Sequence, residues 1–283
     1  MRTAPDPRWF NQQICAFVAY AASHSATILD QPRAASKPAF GSGTCVSIAG
    51  RLFVATAAHV IAGCIQSDLL VVAKGQHGKR VDLKVKGLGL EGGGSLDSVD
   101  IAWIEVEPTD EVNAILPERL LSGVRPPERC VAFVVGTPVH RARSTQEVET
   151  VRLPEVEVKI TWNLQMLGWA TNLIPDAEWP KDISPKYSAR SHYLLEYGNV
   201  SDVDSGESLG LIEPQGLSGG GIWMLPIDAS DGTLWVSNRA VLAGIQTGYI
   251  PESRVLCGNR IVPWIRLMAK DHPELASFMP HLE

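Results

Sequence analysis

Cysteine is scarce in this chain of 283 residues, and its cysteines form no recognisable pattern. There are five, an odd number, and they are widely separated with no pair spaced as CxxC: Cys15, Cys45, Cys64, Cys130 and Cys257. This spacing argues against both a dense disulfide framework and a zinc site. We therefore expect reduced, mostly buried thiols, no bound metal and no other cofactor. A cytoplasmic setting is the preferred interpretation, with a secreted or periplasmic one as the alternative.

Long apolar runs and basic clusters are also missing. The longest apolar run near the start covers residues 14–22 and is too short to cross a bilayer. We interpret 14–20 as a buried strand, while Arg2 and Arg8 before it leave the h-region of a signal peptide as an alternative. The net charge is −6, from 25 Lys and Arg against 31 Asp and Glu, and no basic patch stands out. Neither nucleic acid nor a membrane is therefore an expected partner.

Short apolar segments separated by turns are what the sequence has in quantity. Hydrophobic residues make up 45% of the chain, which suits a globular protein with a sizeable core. Alternation with a period of two predicts strands at 81–86 and 156–162, and two apolar segments predict a hairpin over 44–55. A short helix is predicted around 110–121 and a longer one between Pro263 and His272. Strand after strand with one late helix predicts an all-β protein.

Three segments carry side chains suited to nucleophilic catalysis. Ser218 lies among four glycines in 214–221, where the backbone can turn tightly and present both a hydroxyl and free N–H groups. His59 follows Thr56-Ala57-Ala58 at the end of an apolar strand, and imidazole is the natural general base near neutral pH. Asp100 begins another apolar strand, where a carboxylate is costly without a partner. Each feature alone also suits a plain loop, a structural histidine or a turn residue.

Together these segments resemble the three signatures of the chymotrypsin/trypsin-like serine proteases. The motifs are Thr-Ala-Ala-His59, Asp100-Ile-Ala and Gly216-Leu-Ser218-Gly-Gly, in the family's order, with spacings of 100 − 59 = 41 and 218 − 100 = 118 residues. The resemblance covers roughly residues 14–270. Shortened loops and the turn Gly136-Thr137-Pro138 look closer to the bacterial trypsin-like peptidases.

The resemblance implies two antiparallel six-stranded β-barrels with the active site in the cleft between them. We expect an N-terminal barrel over 10–125 that carries His59 and Asp100, and a C-terminal barrel with its helix over 126–283 that carries Ser218. Ser218 would be the nucleophile, His59 the base and Asp100 its orienting carboxylate. Backbone N–H groups of Gly216 and Ser218 would form the oxyanion hole, and protein or peptide would be the substrate. The oligomeric state is left open.

Several positions depart from the family's pattern. Leu217 stands where cleavage-activated members carry an aspartate that captures a freed N-terminus, so that mode of activation is not expected. Ile212 stands where the resemblance would place the base of the specificity pocket, six residues before Ser218, with Glu213 beside it. This disfavours a preference for Lys or Arg unless Glu213 faces inward. On the pocket wall Thr247-Gly248-Tyr249 replaces Ser-x-Gly, and Tyr249 would narrow the entrance. A small or apolar residue before the scissile bond is expected.

The family's disulfide around the catalytic histidine is also missing, because Val60 follows His59. Whether Cys45 and Cys64 pair is left open by their spacing. Two other functions compete with the protease interpretation. One is a binding protein on the same fold that has lost catalysis. The other is an α/β-hydrolase esterase, because Gly216-x-Ser218-x-Gly220 fits a nucleophile elbow, but that fold needs alternating helices and an Asp and a His after the serine.

Overall fold

The chain is mostly β, with few helices and one of them near the C-terminus. The computed structural model describes residues 7–30, 39–62, 64, 66, 69–75, 79–92, 99–123, 130–138, 142–148, 158–164, 167–180, 187–198, 200–202, 208–211, 213–226 and 239–281. Over these residues the chain forms seventeen strands and three α-helices. The predicted all-β class and the late helix are confirmed. The sequence also suggests a short strand over 234–236 and makes Asp97 a better turn residue than Asp100, but both positions lie outside the described residues.

The first sheet is antiparallel and curls into a half-barrel. Its strands are β1 (Ser25–Asp30), β2 (Ala39–Ile48), β3 (Arg51–Thr56), β4 (Leu69–Lys74), β5 (Arg80–Leu83), β6 (Val85–Glu91) and β7 (Ile101–Val106). Their spatial order is β5-β4-β1-β2-β3-β7-β6. The predicted hairpin is confirmed as β2 and β3, which turn across Ala49 and Gly50 with φ of 50° and 76°. Positive φ at both central residues is the signature of a type I′ turn.

The second sheet is also antiparallel and takes its strands from the later part of the chain. They are β8 (Cys130–Gly136), β11 (Leu167–Thr171), β12 (His192–Glu196), β13 (Val200–Asp202), β14 (Ser208–Gly210), β15 (Gly221–Pro226), β16 (Val241–Ile250) and β17 (Val255–Arg260). Their order is β12-β17-β16-β15-β8-β11-β13-β14, and β9 (Ala142–Val148) and β10 (Val158–Leu164) form a separate hairpin. The two sheets thus have seven and eight strands rather than six each, since short strands at the edges extend both.

The first helix includes a segment that the sequence predicts as a strand. Residues 14–20 are not a strand but part of α1 (Pro7–Ser23). A continuous apolar run fits a buried strand and a buried helix equally well, because it carries no periodic signal. In the folded chain the buried residues recur at helical spacing, as Phe17, Val18, Ala21 and Ala22, and the Phe17 ring stacks on Phe133 with centroids 4.0 Å apart. The run is therefore a core element packed on the second sheet.

The segment between the two sheets is also different from its prediction. The helix expected around 110–121 is absent from 107–123, which is largely extended with a single 3₁₀ turn at Pro117–Arg119. Backbone hydrogen bonds explain this, since the Ile115 N–H donates to the Cys45 carbonyl and the Leu121 N–H donates to the Leu242 carbonyl. The connector therefore pairs with β2 of the first sheet and β16 of the second, and this tertiary pairing outweighs its local helical tendency.

Two helices follow strands of the sheets, and the second of them contacts both sheets. The helix α2 (Ala58–Ile61) follows β3 directly, and α3 (Ile261–Asp271) follows β17. Trp264 of α3 is fully buried in a central apolar cluster that draws residues from α1 and both sheets. Its indole N–H donates to the Ala102 carbonyl of β7 at 3.0 Å. The C-terminal helix therefore contacts the strand that begins beside Asp100.

Candidate active site

His59 and Asp100 meet in a two-point contact at one end of the first sheet. Since β3 and β7 are paired, with Thr56 opposite Ala102, their ends bring α2 next to the start of β7. The His59 backbone N–H donates to Asp100 Oδ1 at 2.9 Å, and Nδ1 lies 2.6 Å from Oδ2. Both carboxylate oxygens are therefore engaged by one residue. With Nδ1–H committed to Asp100, the neutral imidazole leaves Nε2 as a proton acceptor.

The backbone around Ser218 forms two successive tight turns that share Leu217. The Leu217 N–H donates to the Pro214 carbonyl at 3.0 Å, and the Gly220 N–H donates to the Leu217 carbonyl at 2.7 Å. In each turn only the third residue has positive φ, Gly216 at 92° and Gly219 at 89°. This is the signature of a type II turn, which explains why glycine stands at both positions. Ser218 is thus the second residue of the second turn, and it is half-buried.

The amide groups of Gly216 and Ser218 in these turns have no hydrogen-bond acceptor among the described residues. Buried or partly buried N–H groups are normally paired, so a pair of free ones on a fixed turn is suited to binding an anion or a carbonyl oxygen. These are the two groups expected from the sequence to form an oxyanion hole.

The nucleophile turns lie against β2 and the end of β3, the strand that leads to His59. The Ser42 N–H of β2 donates to the Ser218 carbonyl at 2.7 Å. A Cβ added at Gly219 would lie 1.9 Å from the Ser42 carbonyl oxygen and 2.2 Å from Thr56 Oγ1. Thr56 precedes His59 by three residues. The structure therefore brings the turns bearing Ser218 to the end of the first sheet where His59 and Asp100 lie.

Asp100 is also held from the second sheet. Its backbone N–H donates to Asn259 Oδ1 at 2.9 Å, and Asn259 is fully buried at the end of β17. Neither Asn259 nor Ser42 is predicted from the sequence. Asn259 contacts Asp100, which is 159 positions away in the chain, and Ser42 contacts Gly216, which is 174 positions away. A local sequence pattern does not indicate contacts over such separations. For Ser42 the one available signal is its place between two glycines in an apolar strand, which marks close backbone approach.

The predicted specificity residues are only partly placed. Ile212 lies outside the described residues, and Glu213 is exposed. Thr247 and Tyr249 are half-buried on β16, where the pairing with β17 shifts by one residue between Gln246 and Gly248. The Tyr249 ring packs edge-on against Tyr197 with centroids 4.9 Å apart. A large aromatic side chain thus lies on the strand beside the nucleophile turns.

The two buried thiols, Cys45 and Cys257, are poorly suited to act as nucleophiles. In the described part of the chain, Cys45 and Cys64, whose pairing the sequence left open, are not joined in a disulfide, and neither Cys15 nor Cys257 forms one. Burial raises the pKa of the Cys45 thiol to about 12 and that of Cys257 to about 11, so neither forms an appreciable thiolate near neutral pH. The cytoplasmic setting stays a prediction.

Neither a metal centre nor a membrane span is found in the part of the chain that the structure describes. In the ranges given above, no group of three or more His, Cys, Asp or Glu side chains is arranged to hold a metal ion. No described helix is long and apolar enough to cross a bilayer.

Comparison with solved structures identifies the fold. No protein-family model matches the chain, and no curated protein matches its sequence. The scabies mite inactivated protease paralogue S-D1 is similar with a TM-score of 0.53 and 16% identity, over 93% of this chain and 97% of that one. The structure of GrC is similar with a TM-score of 0.52 and 17% identity, over 90% and 96%. The chain therefore has the two-barrel fold of chymotrypsin-like serine proteases. A bacterial type stays a prediction.

Proposed function

We propose that this protein is a serine endopeptidase that hydrolyses protein or peptide bonds through an acyl-enzyme on Ser218. The observation that carries the proposal is the two-point contact of His59 with Asp100, next to a serine turn with two free amides. A histidine held at both its backbone N–H and Nδ1 has a fixed ring orientation. Such a fixed base beside a nucleophile and free N–H groups is what acyl transfer needs.

In the proposed reaction Ser218 Oγ attacks the substrate carbonyl while His59 Nε2 accepts the hydroxyl proton. Asp100 stabilises the resulting imidazolium and keeps Nδ1 protonated. The negative oxygen of the tetrahedral intermediate accepts hydrogen bonds from the Gly216 and Ser218 amides, a contribution of roughly 3–4 kcal/mol per donor. His59 then gives its proton to the leaving amine. Water, activated by the same imidazole, releases the acyl group from Ser218.

The proposal is tested by labelling the purified protein with a fluorophosphonate probe at neutral pH. Wild type should become labelled at one site, and Ser218→Ala should not. Ser188→Ala, which removes an exposed serine hydroxyl elsewhere on the surface, serves as the matched control and should label normally. Asp100→Asn should slow labelling by roughly 10³–10⁴-fold near neutral pH, because the wrong histidine tautomer is then favoured. Labelling that persists in Ser218→Ala would rule the assignment out.

Leu217 supports a further part of the proposal, that the site forms without a freed N-terminus. Its side chain is 1% exposed and lies in an apolar cluster with Val134, Ile222 and Met224. Burial of a leucine contributes roughly 1.5–3 kcal/mol, so the turn is held by packing rather than by an ion pair. Intact protein should therefore react, with mass spectrometry confirming an uncut N-terminus. Reaction confined to a clipped form would contradict this.

We further propose a small or apolar residue before the scissile bond. Tyr249, packed on Tyr197, narrows the side of β16 where the substrate residue would lie. A peptide library digested with wild type and with Tyr249→Ala, analysed by mass spectrometry, tests this. Wild type should cleave after small or apolar residues, and the variant should accept larger ones. Cleavage by wild type after Lys or Arg would overturn this preference and point to Glu213.

A binding protein without catalysis is the second candidate. It is favoured by the similarity to a mite protein whose own description is an inactivated protease paralogue. The esterase alternative has no such support, because an α/β-hydrolase needs a parallel sheet and the described sheets are antiparallel. Folded wild-type protein that takes up no probe would favour the binding protein.

A further inference from the structure

Ser42 is a polar residue at the junction of the two sheets. It is fully buried on β2, yet every one of its polar atoms is engaged. Its hydroxyl donates to the Gly216 carbonyl at 2.9 Å and accepts from the Thr137 N–H at 2.8 Å. Its N–H donates to the Ser218 carbonyl at 2.7 Å, and its own carbonyl accepts from Thr56 Oγ1 at 2.7 Å.

These contacts fix alternate peptide units of the nucleophile turns. The peptide between Gly216 and Leu217 is held at its oxygen by Ser42 and at its N–H by the Pro214 carbonyl. The peptide after Ser218 is held in the same way, because its oxygen accepts from the Ser42 N–H and the Gly219 N–H donates to the Gln246 carbonyl at 2.7 Å. Because peptide units are planar, clamping both ends of a unit sets its orientation.

The units that remain carry the two free amides. Between the clamped units, the Leu217 carbonyl is taken by Gly220, so only the Ser218 N–H of that unit is unused. The Gly216 N–H precedes the first clamped unit, and the positive φ of Gly216 determines the direction in which it points. Ser42 therefore determines the orientation of both amides, although it makes no hydrogen bond to either N–H.

We propose that Ser42 is a positioning residue that orders the oxyanion-binding turn from the opposite sheet. This inference rests on the proposed function and assigns the geometry of that site to a side chain on the first sheet. Among the described residues, Ser42 makes no hydrogen bond to His59 or Asp100. Its loss should therefore weaken stabilisation of the tetrahedral oxygen and leave the acid–base pair unchanged.

The test uses Ser42→Ala in the full-length chain, with hydrolysis of p-nitrophenyl acetate and labelling by a fluorophosphonate as readouts. Removing one oxyanion donor typically lowers turnover by about 10²–10³-fold, and loosening both indirectly should cost roughly 10–100-fold in kcat. The KM and the pH at half-maximal rate should stay unchanged. Rates are compared under conditions where near-UV circular dichroism shows each variant folded.

Thr27→Val is the matched control. Thr27 lies opposite Ser42 in the strand register, is equally buried, and its hydroxyl pairs with Thr137 Oγ1 at 2.8 Å without contacting the turns. It should lower the unfolding midpoint as Ser42→Ala does but keep the wild-type rate. Ser42→Cys, which retains a weak donor in place of the hydroxyl, should give an intermediate kcat and covers the case in which the alanine variant does not fold.

The outcomes separate this inference from the proposed function. A wild type that is folded but inert towards both reagents would overturn the proposed function, and this inference with it. A reactive wild type whose kcat is unchanged in Ser42→Ala would overturn the positioning role alone. That role is also overturned if Thr27→Val slows turnover as much as Ser42→Ala, or if Ser42→Ala shifts the pH dependence, since either result would indicate a general effect on the junction.

Discussion

Gly219→Ala separates backbone strain from steric collision at the nucleophile turn. Gly219 has φ of 89°, a conformation that costs a residue with a Cβ roughly 1–2 kcal/mol. The added Cβ would also lie 1.9 Å from the Ser42 carbonyl oxygen and 2.2 Å from Thr56 Oγ1. Neither neighbour can move easily, because the Ser42 carbonyl is backbone and accepts the Thr56 hydroxyl. The β2 backbone or the turn must therefore move.

Two other glycines isolate the separate costs. Gly50 has φ of 76° with nothing within 4 Å of an added Cβ, so Gly50→Ala incurs the strain alone, about 1–2 kcal/mol. Gly198 has open space and no positive φ, so Gly198→Ala incurs neither cost and should be neutral or stabilising by up to about 1 kcal/mol. Gly219→Ala should exceed Gly50→Ala clearly and cost about 4 kcal/mol or more, at the upper end for single substitutions.

Urea unfolding of the three variants gives the comparison, with free energies taken at a common m-value. Under strongly native conditions any folded Gly219→Ala protein should also show a depressed rate of probe labelling, since the Ser218 carbonyl and the Ser42 amide can no longer pair as they do. If Gly219→Ala costs no more than Gly50→Ala, the close packing of the turn on β2 is wrong.

Three further perturbations test separate parts of the structure. Leu217→Asp should abolish probe labelling, because it buries an unpaired carboxylate beside the turn, whereas the apolar variant Leu217→Met should label as wild type does. Equal labelling of the two variants would contradict the apolar packing of Leu217. Ala49→Asn should raise the free energy of unfolding by roughly 0.5–1 kcal/mol, and the urea midpoint with it, because φ of 50° in a type I′ turn suits asparagine better than alanine. A lower midpoint would refute it. Hydrogen bonds from Arg51 hold the pKa of Glu105 below its usual 4.5, so this pair stabilises the fold above that pH and loses its effect as pH falls. Glu105→Gln should therefore destabilise at pH 7 and much less at pH 3, and equal differences at both would disprove the linkage.

The residues proposed for chemistry could be found in the sequence because their local contexts are restrictive. A histidine directly after Thr-Ala-Ala, an aspartate at the mouth of an apolar strand and a serine among glycines each follow from short-range backbone needs. The two type II turns make this concrete, since Gly216 and Gly219 are required by their positive φ. Strand structure around 81–86 was likewise predictable from its period of two, but the single strand expected there is divided at Lys84 into β5 and β6, which pair with different strands.

What sequence reasoning missed depends on contacts between distant segments. The apolar run at 14–20 gave no periodic signal, and the buried helix it forms is determined by packing on Phe133 of the second sheet. The connector at 107–123 is extended because β2 and β16 pair with it. Ser42 and Asn259 gain their roles only when the two sheets meet, and in the sequence only the two glycines that flank Ser42 indicate close packing there.

The candidate active site is consequently a product of how the two sheets pack. His59 and Asp100 come from the first sheet and Ser218 from the second, and buried polar contacts join them in both directions. Asn259 of the second sheet holds the Asp100 backbone, and Ser42 of the first holds the carbonyls of the serine turn. A shift of one sheet against the other would break both contacts at once, leaving buried groups unpaired at a cost of roughly 1–3 kcal/mol each. The central apolar cluster opposes that shift, so substitutions deep in the cluster should affect turnover as well as stability.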